Sequence, residues 1–120
     1  MAANRRAIGT QYEKMAGEFL EKQGYRILTY NYRCRYAEID IVAMDKEILV
    51  FCEVKFRKDS TSGNALDAVD VKKQRRLWYA ALSYLSRHQL TDVPCRFDVL
   101  GITGEQITLV KDAFVYTGGS

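Results

Sequence analysis

The chain is poor in the residues that announce the commonest catalytic and metal-binding chemistries. Among 120 residues it has one histidine, His88, one proline, Pro94, and three cysteines, Cys34, Cys52 and Cys95. The cysteines form no CxxC, and a four-coordinate structural zinc needs more ligands than one imidazole can complete. With an odd count, and two of the three inside apolar runs, they read as small core residues in a reducing compartment rather than as disulfides. There is no GxSxG, P-loop, GxGxxG or HExxH, so the chemistries those motifs carry have no foothold. His88 follows a basic helix end and reads as a surface residue. No stretch approaches the ~20 apolar residues of a membrane helix, and MAANRRAIG has no apolar h-region. The expectation is a soluble, cytoplasmic protein with no membrane partner. At this length residues 1–120 form a single domain, with a polar glycine-rich tail at about 117–120. A chain of this size buries roughly two thirds of its unfolded surface.

What is present is charge in an uneven pattern. The net charge is only +3. Basic residues nevertheless cluster at Arg5–Arg6, at Arg33 and Arg35, at Lys55, Arg57 and Lys58, and at Lys72, Lys73, Arg75 and Arg76. Tyr30, Tyr32 and Tyr36 interleave with the second cluster. Basic groups among aromatics suit a phosphate backbone and unstacked bases. A solvated helix face carries similar runs, so both readings stand at this level.

Periodicity gives the elements. In residues 10–23, Tyr12, Met15, Ala16, Phe19 and Leu20 recur at helical spacing, with Thr10 as N-cap and Gly24 as stop. Residues 25–35 read as a strand with its polar end near Asn31. Strands at 38–44 and 48–56 flank a turn around Asp45-Lys46-Glu47. A helix over about 65–88 carries an apolar stripe from Leu66 and Val69 through Leu77, Ala80, Ala81, Tyr84 and Leu85. Trp78 and Tyr84 read as core or interface aromatics rather than base-stacking platforms. CRFDVLGI and QITLV are two further strands around Gly104 and Glu105. The order αβββαββ predicts an α/β domain with a mixed central sheet flanked by helices.

Two of these strands carry charge where a core-facing strand should have none, in EIDIVAMDKEILVFCEVKF. A two-residue loop at Lys46-Glu47 sets Asp40 opposite Glu53 and Glu38 opposite Lys55. Ile39, Ile41 and Ala43 then face Val54, Cys52 and Val50, an apolar set. Opposed carboxylates about 4.5–5.5 Å apart at Cβ repel unless a proton or a cation joins them. A hard cation such as Mg²⁺ accepts such oxygens. Lys55 follows two residues along on the same side, where its ammonium can meet a phosphate. Metal, carboxylates and lysine together suit phosphodiester hydrolysis. A cross-strand salt-bridge network is the other reading of the same pattern.

Asp40, followed by Glu53-Val54-Lys55, resembles the D…(D/E)xK signature of the PD-(D/E)xK nuclease superfamily, which includes restriction endonucleases and archaeal Holliday junction resolvases. From about Gly9 to Phe114 the chain is similar to uncharacterised protein family 0102, a set of endonuclease candidates. Gly9-x3-Glu13-x2-Ala16, FLEKQGYRIL with Asn31 and Arg33, EIDIVA, VFCEVKFR, AVDVKKQRRL and RFDV carry the resemblance. It implies a restriction-endonuclease-like core and a Mg²⁺ (or Mn²⁺) site built from Glu13, Asp40 and Glu53, with Lys55 catalytic. Glu13, rather than Glu18, is the matching helix acid, and it falls on the flank of the apolar stripe. Glu38 would support the site or pair with Lys55 or Arg33. Arg33, Arg35, Arg57, Lys73 and Gln74 would contact nucleic acid, expected to be DNA. Asp98 would either brace a basic neighbour or reach the metal. Junction-cutting relatives pair their active sites, which admits a homodimer. Ala37 and Tyr12 stand where the family usually has glycine. The implied activity is a metal-dependent endonuclease acting on DNA, including branched or repair intermediates. The alternative is a non-catalytic nucleic-acid-binding or assembly module on the same fold.

Overall fold

A computed structural model describes residues 2–35, 37–57 and 70–115, with side chains described at 11–35, 37–56 and 70–115. Helix α1 spans Ala2–Lys22, followed by β1 (Arg26–Arg33), β2 (Glu38–Asp45), β3 (Ile48–Arg57), α2 (Val71–Arg87), β4 (Cys95–Thr103) and β5 (Gln106–Val110). The order is the αβββαββ that periodicity predicts. The strands form one five-stranded sheet in chain order. Neighbours are antiparallel except β3 and β4, which run parallel. A parallel pair needs a crossover, and the connection that contains α2 supplies it.

Two helix starts differ from expectation. Helix α1 runs through Thr10, which is therefore interior and not a cap. The preceding AANRRAIG contains no proline, and its alanines and arginines are strong formers that carry the helix through Gly9. Helix α2 begins at Val71, because Asp70 stands in extended backbone and accepts from Lys73 N at 2.8 Å. That N-cap bond fixes the first turn. Leu66 and Val69, expected inside this helix, lie outside the described residues, as do Tyr36, the side chain of Arg57, and the tail. The end of α1 is as expected. Gly24, at φ 97°, follows the last turn, and Tyr25 N–H reaches back to Leu20 O while Gly24 N–H reaches Glu21 O. This Schellman closure drops Tyr25 into the core.

The sheet is covered on both faces. Ala16 and Leu20 of α1 pack on Ile41, Ala43, Val50, Cys52, Leu100 and Ile102. Leu77, Ala80, Ala81 and Tyr84 of α2 pack on Val42, Leu49, Phe51 and Phe97. Trp78 and Tyr84 join this second core, as expected, and exposed His88 caps α2 and stacks on Tyr84. All three cysteines are free. Only Cys52 is a core residue; Cys34 is half-buried, and Cys95 is exposed because β4 begins beside the surface loop at Pro94. Gly17 lets β1 approach α1, since a Cβ there would collide with Tyr30 Oη. Tyr30 is 41% exposed and free to turn outward. Gly17→Ala gains up to about 1 kcal/mol of helix propensity and displaces that ring, so its melting temperature should stay within a few degrees of wild type.

Asp98 braces a basic neighbour. Fully buried on β4, it accepts from Arg96 Nε at 2.8 Å, Arg96 Nη2 at 3.1 Å, Tyr25 Oη at 2.6 Å and Asp112 N at 3.0 Å. Arg96 also holds Asp45 at 2.9 Å. With all its partners in protein, Asp98 belongs to the scaffold and not to a metal site.

Candidate metal centre

Strands β2 and β3 pair from their loop outward, Asp45 with Ile48 through to Ile41 with Cys52. This is the register the two-residue loop predicts. It ends one step short of the acids: the pairs expected next, Asp40–Glu53, Ile39–Val54 and Glu38–Lys55, are not part of the ladder. Val54 N–H instead donates to Asp40 Oδ2 at 2.8 Å. A short carboxylate has taken the place of a ladder carbonyl, the local competition that aspartate offers any backbone.

On the other side of β2, the pairing with β1 passes from Tyr30–Ile41 to Tyr32–Ile39 and skips Asn31 and Asp40. Asn31 has φ 54°, a conformation asparagine tolerates better than most residues. The skip reverses the faces. Ile41 lies in the core under α1, while Ile39, two residues away, lies in the core under α2. A regular strand would put both on one side. Tyr30 likewise meets Gly17 of α1, whereas Tyr32 bonds Ser83 Oγ at 2.7 Å and packs edge-on against Tyr84 of α2.

This paired irregularity brings acids from both faces to one end of the sheet. Glu13 from α1, with Glu38 and Asp40 from β2, offers carboxylate oxygens all within 4.8 Å of one another. Asn31 Nδ2 donates to Glu13 Oε2 at 2.7 Å and holds that helix acid over the strands. Glu53 approaches from the α2 side and is only 5% exposed. Its Oε2 is sealed from solvent. Lys73 Nζ lies 3.2 Å away as an ion-pair partner, but no hydrogen bond of good geometry reaches that oxygen. The Asp40 and Glu53 carboxylates meet within hydrogen-bonding reach.

The electrostatics follow from crowding. Burial, then the shared hydrogen bond and the charge of Glu53, push the Asp40 carboxyl up to about 8, against the Val54 N–H and Lys73 that favour its charge. Burial also raises Glu13, with the charges of Asp40 and Glu38 adding to it while the Asn31 bond opposes. These are the marks of carboxylates short of positive charge. Oxygens sharing one Mg²⁺ at about 2.0–2.1 Å lie no more than about 4.2 Å apart. Rotation of the half-buried Glu13 and Glu38 side chains would close the remaining gap. The donor set is all oxygen and suits a hard cation.

The structure distributes the other expected residues around this point. Lys55 is half-buried two residues beyond Glu53 and, among the described residues, forms no ion pair. Arg33 Nε binds Glu38 Oε2 at 2.9 Å, one of the two pairings expected of that acid. Lys73 and Gln74 occupy the first turns of α2, and Arg35 is exposed after β1. Ala37 has no positive φ, so the alanine fits where the family favours glycine, and its carbonyl accepts from Cys34 N at 2.9 Å. Tyr12, the other departure, stacks on Phe56 at 4.0 Å and ties α1 to β3 beside Glu13 and Lys55.

Asn31 and the Val54 N–H escape sequence reasoning as parts of the site. The available signal is a polar residue of low strand propensity between two tyrosines. Asn31→Gly and Asn31→Ala should both weaken divalent-cation binding, because both free Glu13. Only alanine also pays for the left-handed backbone, so thermal unfolding should place it about 1 kcal/mol below glycine.

Comparison with known proteins agrees with this layout in extent. Over 112 residues the chain is 45% identical to a UPF0102 protein of Lachnoclostridium phytofermentans, covering 92% of this chain and 95% of that one. A UPF0102 protein of Nitrosococcus oceani is 43% identical over 117 residues, 93% and 94% of the two chains. One from Syntrophus aciditrophicus is 45% identical over 106 residues, 85% and 84%. The sequence model of the same family matches residues 12–102, which take in α1 from Tyr12, the whole acidic cluster and most of β4. The chain belongs to uncharacterised protein family UPF0102.

Proposed function

We propose that this protein is a Mg²⁺- or Mn²⁺-dependent endonuclease of PD-(D/E)xK type that hydrolyses phosphodiester bonds in DNA, branched or repair intermediates among them. The observation that carries the reading is the convergence of Glu13, Glu38 and Asp40 oxygens within 4.8 Å, with the sealed Glu53 carboxylate against Asp40. Four acids drawn from two helix-covered faces are costly to gather unless a cation offsets them.

Asp40, Glu13 and Glu38 would hold the cation, and Glu53 would hold Asp40 in place or join the ligands as Lys73 withdraws. A bound divalent cation supplies a water of lowered pKa and a Lewis acid for a phosphoryl oxygen. Lys55 offsets charge that develops on the non-bridging oxygens. Arg33, Arg35, Lys73 and Gln74, together with Arg57, whose side chain lies outside the described residues, would seat the strand by its phosphates. The DNA partner, a homodimeric arrangement and cytoplasmic location belong to this reading. Among the described residues, no helix is long and apolar enough to cross a membrane.

The test is cleavage of a panel of linear and branched DNAs in Mg²⁺, Mn²⁺ and EDTA. Wild type should cut in either metal and not in EDTA. Lys55→Ala should lose roughly 10²–10³-fold in rate while binding DNA nearly as well. A wild-type protein that binds these DNAs and cuts none of them is the non-catalytic module instead.

A further inference from the structure

Between the acidic cluster and the first turns of α2 lies a cavity of about 370 Å³, lined by Arg33, Cys34, Ala37, Glu38, Lys73 and Arg76. Three cations face one acid across it. Its volume lies at the low end of the roughly 300–1,000 Å³ of ligand pockets, enough for a phosphate and the sugar it esterifies. Arginine presents a planar fork that fits phosphate oxygens in pairs, and two arginines enter from different elements.

Two of these cations are already occupied by carboxylates of the neighbouring site. Arg33 Nε holds Glu38 Oε2 at 2.9 Å, and Lys73 Nζ stands 3.2 Å from Glu53 Oε2. Arg76 is exposed and, among the described residues, forms no ion pair. We propose that the cavity is a phosphate-binding subsite whose cations are masked by the carboxylates of the acidic cluster, so that a divalent cation and a phosphate group bind cooperatively. A cation that draws in Glu38 releases Arg33 toward the cavity. A phosphate that takes Arg33 frees Glu38 for the cation. Such coupling is reciprocal and typically about 5–150-fold. That the phosphate belongs to a nucleic acid strand rests on the endonuclease reading; the masking does not.

The probe is a deoxynucleoside 5′-monophosphate, titrated by calorimetry in EDTA and in Ca²⁺, so that no hydrolysis enters. Ca²⁺ should tighten wild-type binding at least ~5-fold. Glu38→Gln should bind the nucleotide in EDTA at least ~5-fold tighter than wild type, because Arg33 is unmasked. Arg76→Ala should lose binding in both conditions, with an unchanged melting curve showing that it folds. If Glu38→Gln matches wild type in EDTA, any Ca²⁺ effect is direct bridging by the ion, and the masking is overturned. Arg76→Ala binding as well as wild type overturns the subsite. A protein that never cleaves DNA yet shows these affinities loses the endonuclease reading and keeps this one.

Discussion

Asp40→Asn should make the metal-free protein more stable while abolishing the proposed metal-dependent cleavage. The asparagine still accepts from Val54 N–H, whose bond to Asp40 is 2.8 Å, and its amide can donate to Glu53. The repulsion between two buried carboxylates disappears. In the wild type, the Asp40 carboxyl is raised from 3.8 to about 8 by burial and by Glu53. Between those values the folded state holds a proton that the unfolded state has lost. The stability of the metal-free protein therefore falls as pH rises through this window and levels off above it. Asn removes that slope. At pH 8 in EDTA the gain should be on the order of 2 kcal/mol, or several degrees in melting temperature. Cleavage should drop by roughly 10³-fold. Asp40→Ala should lose activity equally without the stability, since Val54 N–H is left without an acceptor. Melting curves from pH 5 to 8.5 in EDTA check the prediction; a wild-type curve flat across that range, with Asn no more stable, would sink it.

Asp98→Ala should be the most damaging single change to the scaffold. It removes four hydrogen bonds from a fully buried position and strips Arg96 of its closer carboxylate. The guanidinium keeps Asp45 at 2.9 Å, and the Tyr25 hydroxyl keeps only Arg96, 2.7 Å away. Breaking a buried pair on one side costs about 3–5 kcal/mol, a large share of the roughly 5–15 kcal/mol available to a domain. Asp98→Asn retains the shape and part of the bonding and should lose about half as much. Urea unfolding monitored by circular dichroism distinguishes them. A loss below about 1 kcal/mol for alanine would mean that this network does not hold the sheet together.

The parts of the fold that local rules govern were legible. Lys46-Glu47 set the register of β2 on β3, Gly24 ended α1, and the apolar stripes around Leu20 and Leu77 faced the sheet. The candidate site is legible as a concentration of acids on β2 and β3, but its geometry is not. Regular alternation placed Asp40, Glu53 and Lys55 on one side of a hairpin. The structure opens the strands at Asp40 and reaches Glu13 from one face and Glu53 from the other. No alternation rule anticipates a ladder broken at one of the acids proposed to hold the cation. The partners of Asp98 were hidden for another reason: Tyr25 lies 73 positions away, and such pairings are decided by packing. The start of α1 is not legible because Gly9 weakens a helix without stopping it, and no proline precedes Thr10.

The irregularity in β1 also bears on aggregation. β1 is an outer strand of the sheet, and among the described residues no strand pairs with its outer edge, the kind of surface that recruits strands from other molecules. Its register slips between Ile27 and Thr29, and its backbone turns left-handed at Asn31. No long straight row of amides and carbonyls remains for a second chain to copy. The displacement that assembles four acids thus doubles as protection against edge-to-edge aggregation. Asn31 substitutions chosen to regularise β1 should cost solubility as well as metal affinity.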